Sequence, residues 1–322
     1  MHAFHLGIDV AKAKLDCALR LPDGRILHKV VENKPAGFAQ LLKFLDKHHV
    51  EGAHACMEAT GIYWEAIAEF LSARAGFTVS VMNPSQIKAF GASHLTRSKT
   101  DKVDAGLIAA FCAERNPPPW QAPSEAERTL RALVLRLESL QAMRTQESNR
   151  LEVARDRVKD GIASHLQWLD DEIKRLVKEI HQHLDSDDDL NAKQKLLDTI
   201  PGLGERTIAI LLAYCAHPER FGNARRLAAF VGIDTRLHES GTSVRGKPRI
   251  SKVGHSFVRK ALYMPAMVTL YKTLWGKRFQ QRLASAGKAP KVIIVAMMRK
   301  LLHVAFGVLN SGKPFNPALH GA

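Results

Sequence analysis

Cysteine is sparse in this chain and never paired in the sequence. Cys17, Cys56, Cys112 and Cys215 show no CxxC or metal-ligand spacing. That excludes a disulfide framework and a thiolate metal site, and reads the four as small core residues in a reducing compartment. A basic N-terminal segment followed by a long apolar run is also missing, and Val292 to Met298 is too short to span a bilayer before Arg299 and Lys300. A cytoplasmic protein, neither secreted nor inserted in a membrane, is expected. Disorder is excluded by composition, since 46% of the 322 residues are hydrophobic, enough for two domains with real cores.

Acid is scarce in the last part of the chain. Residues 191–322 carry 22 Lys and Arg against 5 Asp and Glu, whereas residues 1–190 carry 25 against 27, so the whole excess of the net +15 is C-terminal. Such asymmetry calls for a polyanion, and the nucleic-acid backbone is the commonest one. Without a polybasic amphipathic helix bearing an aromatic face, an anionic membrane surface is disfavoured.

The acids that are present in the first part fall in suggestive places. Asp9 lies inside the apolar run Phe4 to Val10, beside Gly7, where rigid strand backbone carries it. An unpaired carboxylate there costs several kcal/mol. A second run, Lys14 to Leu21, and a third, Ile26 to Val31, flank the turn Pro22-Asp23-Gly24-Arg25, which predicts a three-stranded meander. A helix over 35–49, a fourth strand ending at Glu58, a helix over 63–74 and a fifth strand over 77–82 follow. Then comes a short helix and another whose N-cap is Thr100, with Asp101 and Asp104 three apart on one face. This is the element order of the ribonuclease-H-like fold, in which Asp9, Glu58, Asp101 and Asp104 converge at one sheet edge. Actin-like and sugar-kinase ATPases also open with a strand, an Asp and a hairpin, but the glycine-rich phosphate loops they need are missing.

Four adjacent carboxylates repel one another unless a cation neutralises them. Mg²⁺ or Mn²⁺ suits hard oxygen ligands, and a metal pair about 4 Å apart clamps the attacking and leaving oxygens of phosphoryl transfer. The plainer reading is structural, since Asp101 and Asp104 also complement the dipole of a helix N-terminus.

Residues 1–122 thus form an α/β domain, closed by the breaker Asn116-Pro117-Pro118-Pro119. Residues 123–190 read as two amphipathic helices. Leu130, Leu133, Leu137 and Leu140 begin the first, Leu151, Ala154 and Val158 continue it, and a break at Lys159-Asp160-Gly161 separates Leu166, Leu169, Ile173, Leu176 and Ile180. They suit an antiparallel hairpin or a coiled coil between subunits, with a role in dimerisation. The run Asp185 to Asp189 reads as a solvated linker. Residues 191–322 form a mainly helical domain that opens with helix, Pro201-Gly202-Leu203-Gly204, helix, the pattern of a helix-hairpin-helix unit. There Gly202 and Gly204 let backbone amides approach a phosphate. An exposed loop over 236–255 follows, with Arg236, Ser243, Arg245, Lys247, Arg249 and Lys252 as nucleic-acid contacts and Ser240 beside Gly241. Helices over 255–272 and 290–309 close the chain. A serine by itself is a weak nucleophile and needs a base or a polarised electrophile.

Gly7-Ile8-Asp9, Met57 to Gly61, Lys99 to Ala105, Ile200 to Gly204 and Glu239-Ser240-Gly241 through Gly246 together resemble the DEDD-type insertion-sequence transposases. These are related to the Piv DNA invertases and include the bridge-RNA-guided recombinases. The resemblance implies a domain like the resolvase RuvC with Asp9, Glu58, Asp101 and Asp104 as metal ligands, a coiled-coil segment and a C-terminal transposase domain. Ser240 is the implied nucleophile, with Ser243 the second choice, and it forms a phosphoserine at a site composed from different subunits. It further implies donor and target DNA, a noncoding bridge RNA and a homo-oligomer, a dimer that becomes a tetramer in the synaptic complex. Two other classes stay open: a metal-dependent nuclease or junction resolvase in which water attacks, and a nucleic-acid-binding scaffold without catalysis.

Overall fold

The computed structural model describes residues 2–94, 100–236, 239–240, 244–246 and 248–319, with the backbone alone at 239–240 and 244–245. The chain divides into two compact units, Met1–Ala122 and Pro123–Ala322.

The first unit is a five-stranded mixed sheet with helices on both faces, compatible with a ribonuclease-H-like domain. Strands β1 (His5–Val10), β2 (Lys14–Arg20) and β3 (Ile26–Glu32) form the meander, and the tight turn closes through Gly24, whose φ is +86°. Helix α1 (Pro35–Lys47) crosses to β4 (His54–Glu58), and α2 (Glu65–Ser72) to β5 (Thr78–Met82). The order is β3-β2-β1-β4-β5, with β1, β4 and β5 mutually parallel. After α3 (Pro84–Ser93) comes α4 (Asp101–Arg115), whose N-cap Thr100 accepts a hydrogen bond from the Val103 amide.

Strand alternation sends Leu6, Ile8, Leu15, Leu19, Ala55 and Met57 into a core with α1 and α2. The opposite face receives α4, through Ala18, Ala105 and Ala109 and through Cys56, Ile108 and Cys112. The tail after α4 is tied to the sheet edge. The Trp120 amide donates to the Val79 carbonyl at 2.7 Å, and Ser80 Oγ donates to the Pro118 carbonyl at 2.8 Å while sharing a 2.8 Å hydrogen bond with His54 Nε2.

The second unit is mostly helical. Helix α5 (Glu125–Val153) starts in a capping box of Ser124 and Glu127, and α6 (Asp156–Ser186) returns antiparallel to it, with Arg144 on Asp170 and His183 on the Ala126 carbonyl. The pair is a hairpin within one chain. Its break falls at Ala154-Arg155, where the backbone is extended, and not at 159–161. Gly161 sits inside α6, because one exposed glycine costs only about 1 kcal/mol in a helix held by its neighbours. The acidic run is no linker either: Asp187 caps α7 (Asp188–Asp198) by accepting from the Leu190 amide, and Asp188 and Asp189 occupy its first turn.

Helix α8 (Glu205–Cys215), a 3₁₀ turn (Pro218–Arg220) and α9 (Ala224–Val231) follow. The segment read as a loop carries four short strands. β6 (Thr235–Arg236) pairs with β9 (Arg249–Ile250), and β7 (Glu239–Ser240) with β8 (Val244–Arg245). Two-residue strands rich in Arg and Ser carry too little apolar alternation to read as strands.

The helix expected over 255–272 is two, α10 (Ser256–Ala261) and α11 (Tyr263–Lys272), and α12 (Leu274–Ser285) was unforeseen. Helix α13 (Pro290–Ser311) runs on through Arg299 and Lys300. By length and composition it could cross a membrane, yet half of it is buried, with Met297, Leu301 and Leu302 in one core with Leu211, Leu227 and Leu270.

Candidate active site

Gly7 shapes the first site. A Cβ there would lie 2.2 Å from the Ala105 carbonyl oxygen and 2.3 Å from the Ala109 amide nitrogen, so its absence lets α4 lie directly on β1. Ala18, opposite Gly7 on β2, is equally small and fully buried against Ala105 and Ala109. Side chains two residues further along a strand share its face. Asp9 therefore points to the α4 side, and so does Asp16, its direct cross-strand partner. One step beyond the last paired residues of β1 and β4, Ile8 and Met57, stand Asp9 and Glu58, which places Glu58 on that face too. The first turn of α4 supplies Asp101 and Asp104.

The electrostatics match this crowding. Burial pushes the Asp9 carboxyl above its ordinary range, and Asp101, Asp104 and Asp16 push it further, while Lys14 opposes them. Asp101 is held below its ordinary range chiefly by a hydrogen bond from Lys14, whose Nζ stands 2.6 Å from Asp101 Oδ2 and 3.0 Å from Asp16 Oδ2. Two members of this cluster were missed in the sequence, Asp16 and Lys14. Asp16 is only 8% exposed and interrupts an apolar strand just as Asp9 does. That signal was present, but only the β1–β2 register pairs the two.

A divalent cation fits the donor set. The donors of Asp9, Glu58, Asp101 and Asp104 are all carboxylate oxygens, and Asp9 is pushed up first by burial and then by Asp101, Asp104 and Asp16, so a cation beside it would relieve the second effect. Among the described residues, no three His, Cys, Asp or Glu side chains already stand close enough to hold an ion between them. Binding therefore requires side-chain adjustment.

The second unit holds the remaining candidates. Gly202 has φ +105° and abuts the fully buried Thr269, whose Oγ1 would lie 2.0 Å from a Cβ, so packing by itself accounts for this glycine. Gly204 caps α8 without a side-chain hydrogen bond, and nothing lies within 4 Å of a would-be Cβ. Arg236 and Arg249 are exposed and stand directly opposite each other across β6 and β9, and Lys252 is exposed with φ +56°. The backbone of Ser240 pairs with Val244 and that of Arg245 with Glu239. Ser243 and Lys247 lie outside the described residues, as do the side chains of Ser240 and Arg245.

Comparison with known proteins covers both units. Residues 6–158 match a transposase model of the DEDD and IS110 type, and residues 194–281 match the model of the IS116/IS110/IS902 transposase family. The pilin gene-inverting proteins of Moraxella lacunata and Moraxella bovis are each 33% identical to this chain over 323 residues, covering 99% of it and 100% of their own length. A 43.6 kDa protein of insertion element IS110 from Streptomyces coelicolor is 24% identical over 157 residues, covering 49% of this chain and 38% of that protein.

Proposed function

The chain belongs to the IS116/IS110/IS902 family of transposases and is related along its length to the pilin gene-inverting proteins. From that membership we propose that it excises and inserts a mobile element through a phosphoserine at Ser240. It is a DNA cleavage and recombination enzyme. What supports the proposal is placement: Asp9 and Glu58 lie on the sheet face that α4 covers, and Asp101 and Asp104 lie in the first turn of that helix.

In this reading the first unit is a RuvC-like catalytic domain over 1–122, and Asp9, Glu58, Asp101 and Asp104 hold Mg²⁺ or Mn²⁺. When bound, the ion supplies Lewis-acid polarisation of the scissile phosphate. Ser240 lies in β7, whose backbone pairs with that of β8. Serine Oγ bonds to phosphorus as the bond to the departing sugar oxygen breaks. The phosphodiester energy is kept in the seryl ester, and reversal rejoins strands without a nucleotide.

Arg236 and Arg249 support DNA contact where β6 pairs with β9. Like charges directly opposite each other destabilise a strand pair, and a phosphate between them removes that cost. Arg245, Lys247, Lys252 and Ser243 extend the contact, and the α8 N-terminus at Gly204 offers a further backbone site of the helix-hairpin-helix kind. The segment over 123–190, which contains α5 and α6, serves dimerisation. Donor and target DNA are the substrates, and a bridge RNA that selects them is proposed from family resemblance.

The second reading is a RuvC-like endonuclease in which water attacks, favoured by an acid cluster contained wholly within the first unit. Purified protein, Mg²⁺, RNA transcribed from the element's flank and end-labelled DNA separate the two. The proposal expects label migrating with denatured protein, lost in Ser240→Ala. Free-ended nicks that persist in Ser240→Ala would instead identify a hydrolytic nuclease. Unchanged recombination in Asp9→Asn would remove the acids from the chemistry altogether.

A further inference from the structure

The acid face has a cation of its own. Lys14 opens β2, is paired in register with Glu32 on β3, and extends on the α4 side of the sheet, shared with Asp16, to the first turn of α4. It bridges Asp16, fixed within the sheet, and Asp101, on the helix. Among the described residues, the charges that act on Asp9 are those of three aspartates and, opposing them, Lys14. The ammonium thus occupies the position of a counter-ion, on one of the four proposed metal ligands.

An ion held by Asp101 would share that half-exposed carboxylate with the ammonium, and two positive charges on one carboxylate repel. Lys14 and a divalent ion therefore compete for Asp101. We propose that Lys14 is a positioning residue, a latch that holds Asp101 and the α4 N-terminus against β2 in the metal-free protein and releases Asp101 as metal binds. The proposal rests on the metal-site reading given above. It adds that the latch sets the concentration of divalent ion at which the site fills. The benefit is physical: without a counter-ion, mutual repulsion of Asp9, Asp16, Asp101 and Asp104 would drive the helix end away from the sheet.

The test is Mn²⁺ binding to the full-length protein without DNA, followed by the electron paramagnetic resonance of free Mn²⁺ and by thermal unfolding with and without the ion. Lys14 is 44% exposed in its side chain, so its replacement leaves the core intact. Lys14→Met is expected to bind Mn²⁺ about five- to tenfold more tightly than the parent, since the competitor is gone. Its metal-free form should unfold at a lower temperature, and Mn²⁺ should raise that temperature more than in the parent. Lys14→Gln, which keeps a donor without the charge, should follow Lys14→Met, and Lys14→Arg should stay near the parent. A merely structural lysine would give the lower unfolding temperature without the tighter binding. Unchanged or weakened Mn²⁺ binding in Lys14→Met and Lys14→Gln overturns the latch and leaves the metal site standing. No saturable binding in the parent or any variant overturns the metal reading and the latch with it.

Discussion

At Gly7 the missing side chain is what brings β1 and α4 together, since a methyl group would meet backbone atoms of Ala105 and Ala109 that cannot rotate away. Gly7→Ala should therefore force the helix off the sheet, at a cost of about 1–3 kcal/mol to the first unit. Because Asp101 and Asp104 ride on that helix, cleavage should fall further than the lost stability explains. Comparing unfolding by denaturant with the single-turnover cleavage rate at a temperature where the variant is fully folded checks this. A folded Gly7→Ala with parental cleavage would contradict the close approach as the device that assembles the acids. The glycine beside Asp9 was visible in the sequence, but its partner nearly a hundred residues away was not, because close approach is a property of two surfaces.

Among the elements, β1 to β5 and the start of α4 were legible. Apolar runs of strand length bounded by turn residues, and a threonine cap ahead of two acids, are local signals that the tertiary structure reinforces. The long helices were legible in period but not in boundary. Gly161 looked like a break because glycine is a poor helix former, yet it lies inside α6, while the real break at Ala154-Arg155 carries no breaker residue at all. Gly161→Ala should accordingly stabilise the protein, by about 0.5–1 kcal/mol, since nothing lies within 4 Å of the added methyl. A rise in the unfolding midpoint of the second unit is the expected outcome, and a fall would mean the helix is interrupted there after all. The start of α5 illustrates what sequence conceals. Its capping Glu127 is 1% exposed and holds Arg220 through two hydrogen bonds of 2.9 and 3.0 Å, a buried pair spanning 93 residues.

On the scale of the whole molecule, charge and pH divide between the units. The first unit carries its own pH sensor in His54, which is 3% exposed, bonded to Ser80, and pushed down to about 4 by burial and by the nearby His2 and His5. The folded state thus resists protonation that the unfolded chain accepts below about 6.5. The neutral histidine's contribution is complete above that pH and disappears as pH falls toward 4, at most roughly 3 kcal/mol. Thermal unfolding between pH 7 and 4 should show the first unit weakening over this window. His54→Gln, which does not titrate, should shrink the dependence, and an identical pH profile in the variant would remove His54 from the account. The basic excess of the second unit is concentrated in its last part, where not one Asp or Glu follows Glu239.

What the sequence by itself determined is whatever local chemistry dictates: strand and helix type from apolar spacing, a basic C-terminal part from composition, and candidate acids at Asp9, Glu58, Asp101 and Asp104 from their interruption of apolar or cap positions. What only the tertiary structure decided is adjacency. Strand register set Asp16 opposite Asp9, a glycine–alanine contact pressed α4 onto the sheet, and Lys14 came to rest between Asp16 and Asp101. The physical reason is that side-chain identity is a one-residue property, while counter-charge, burial and close approach belong to residues that only folding makes neighbours.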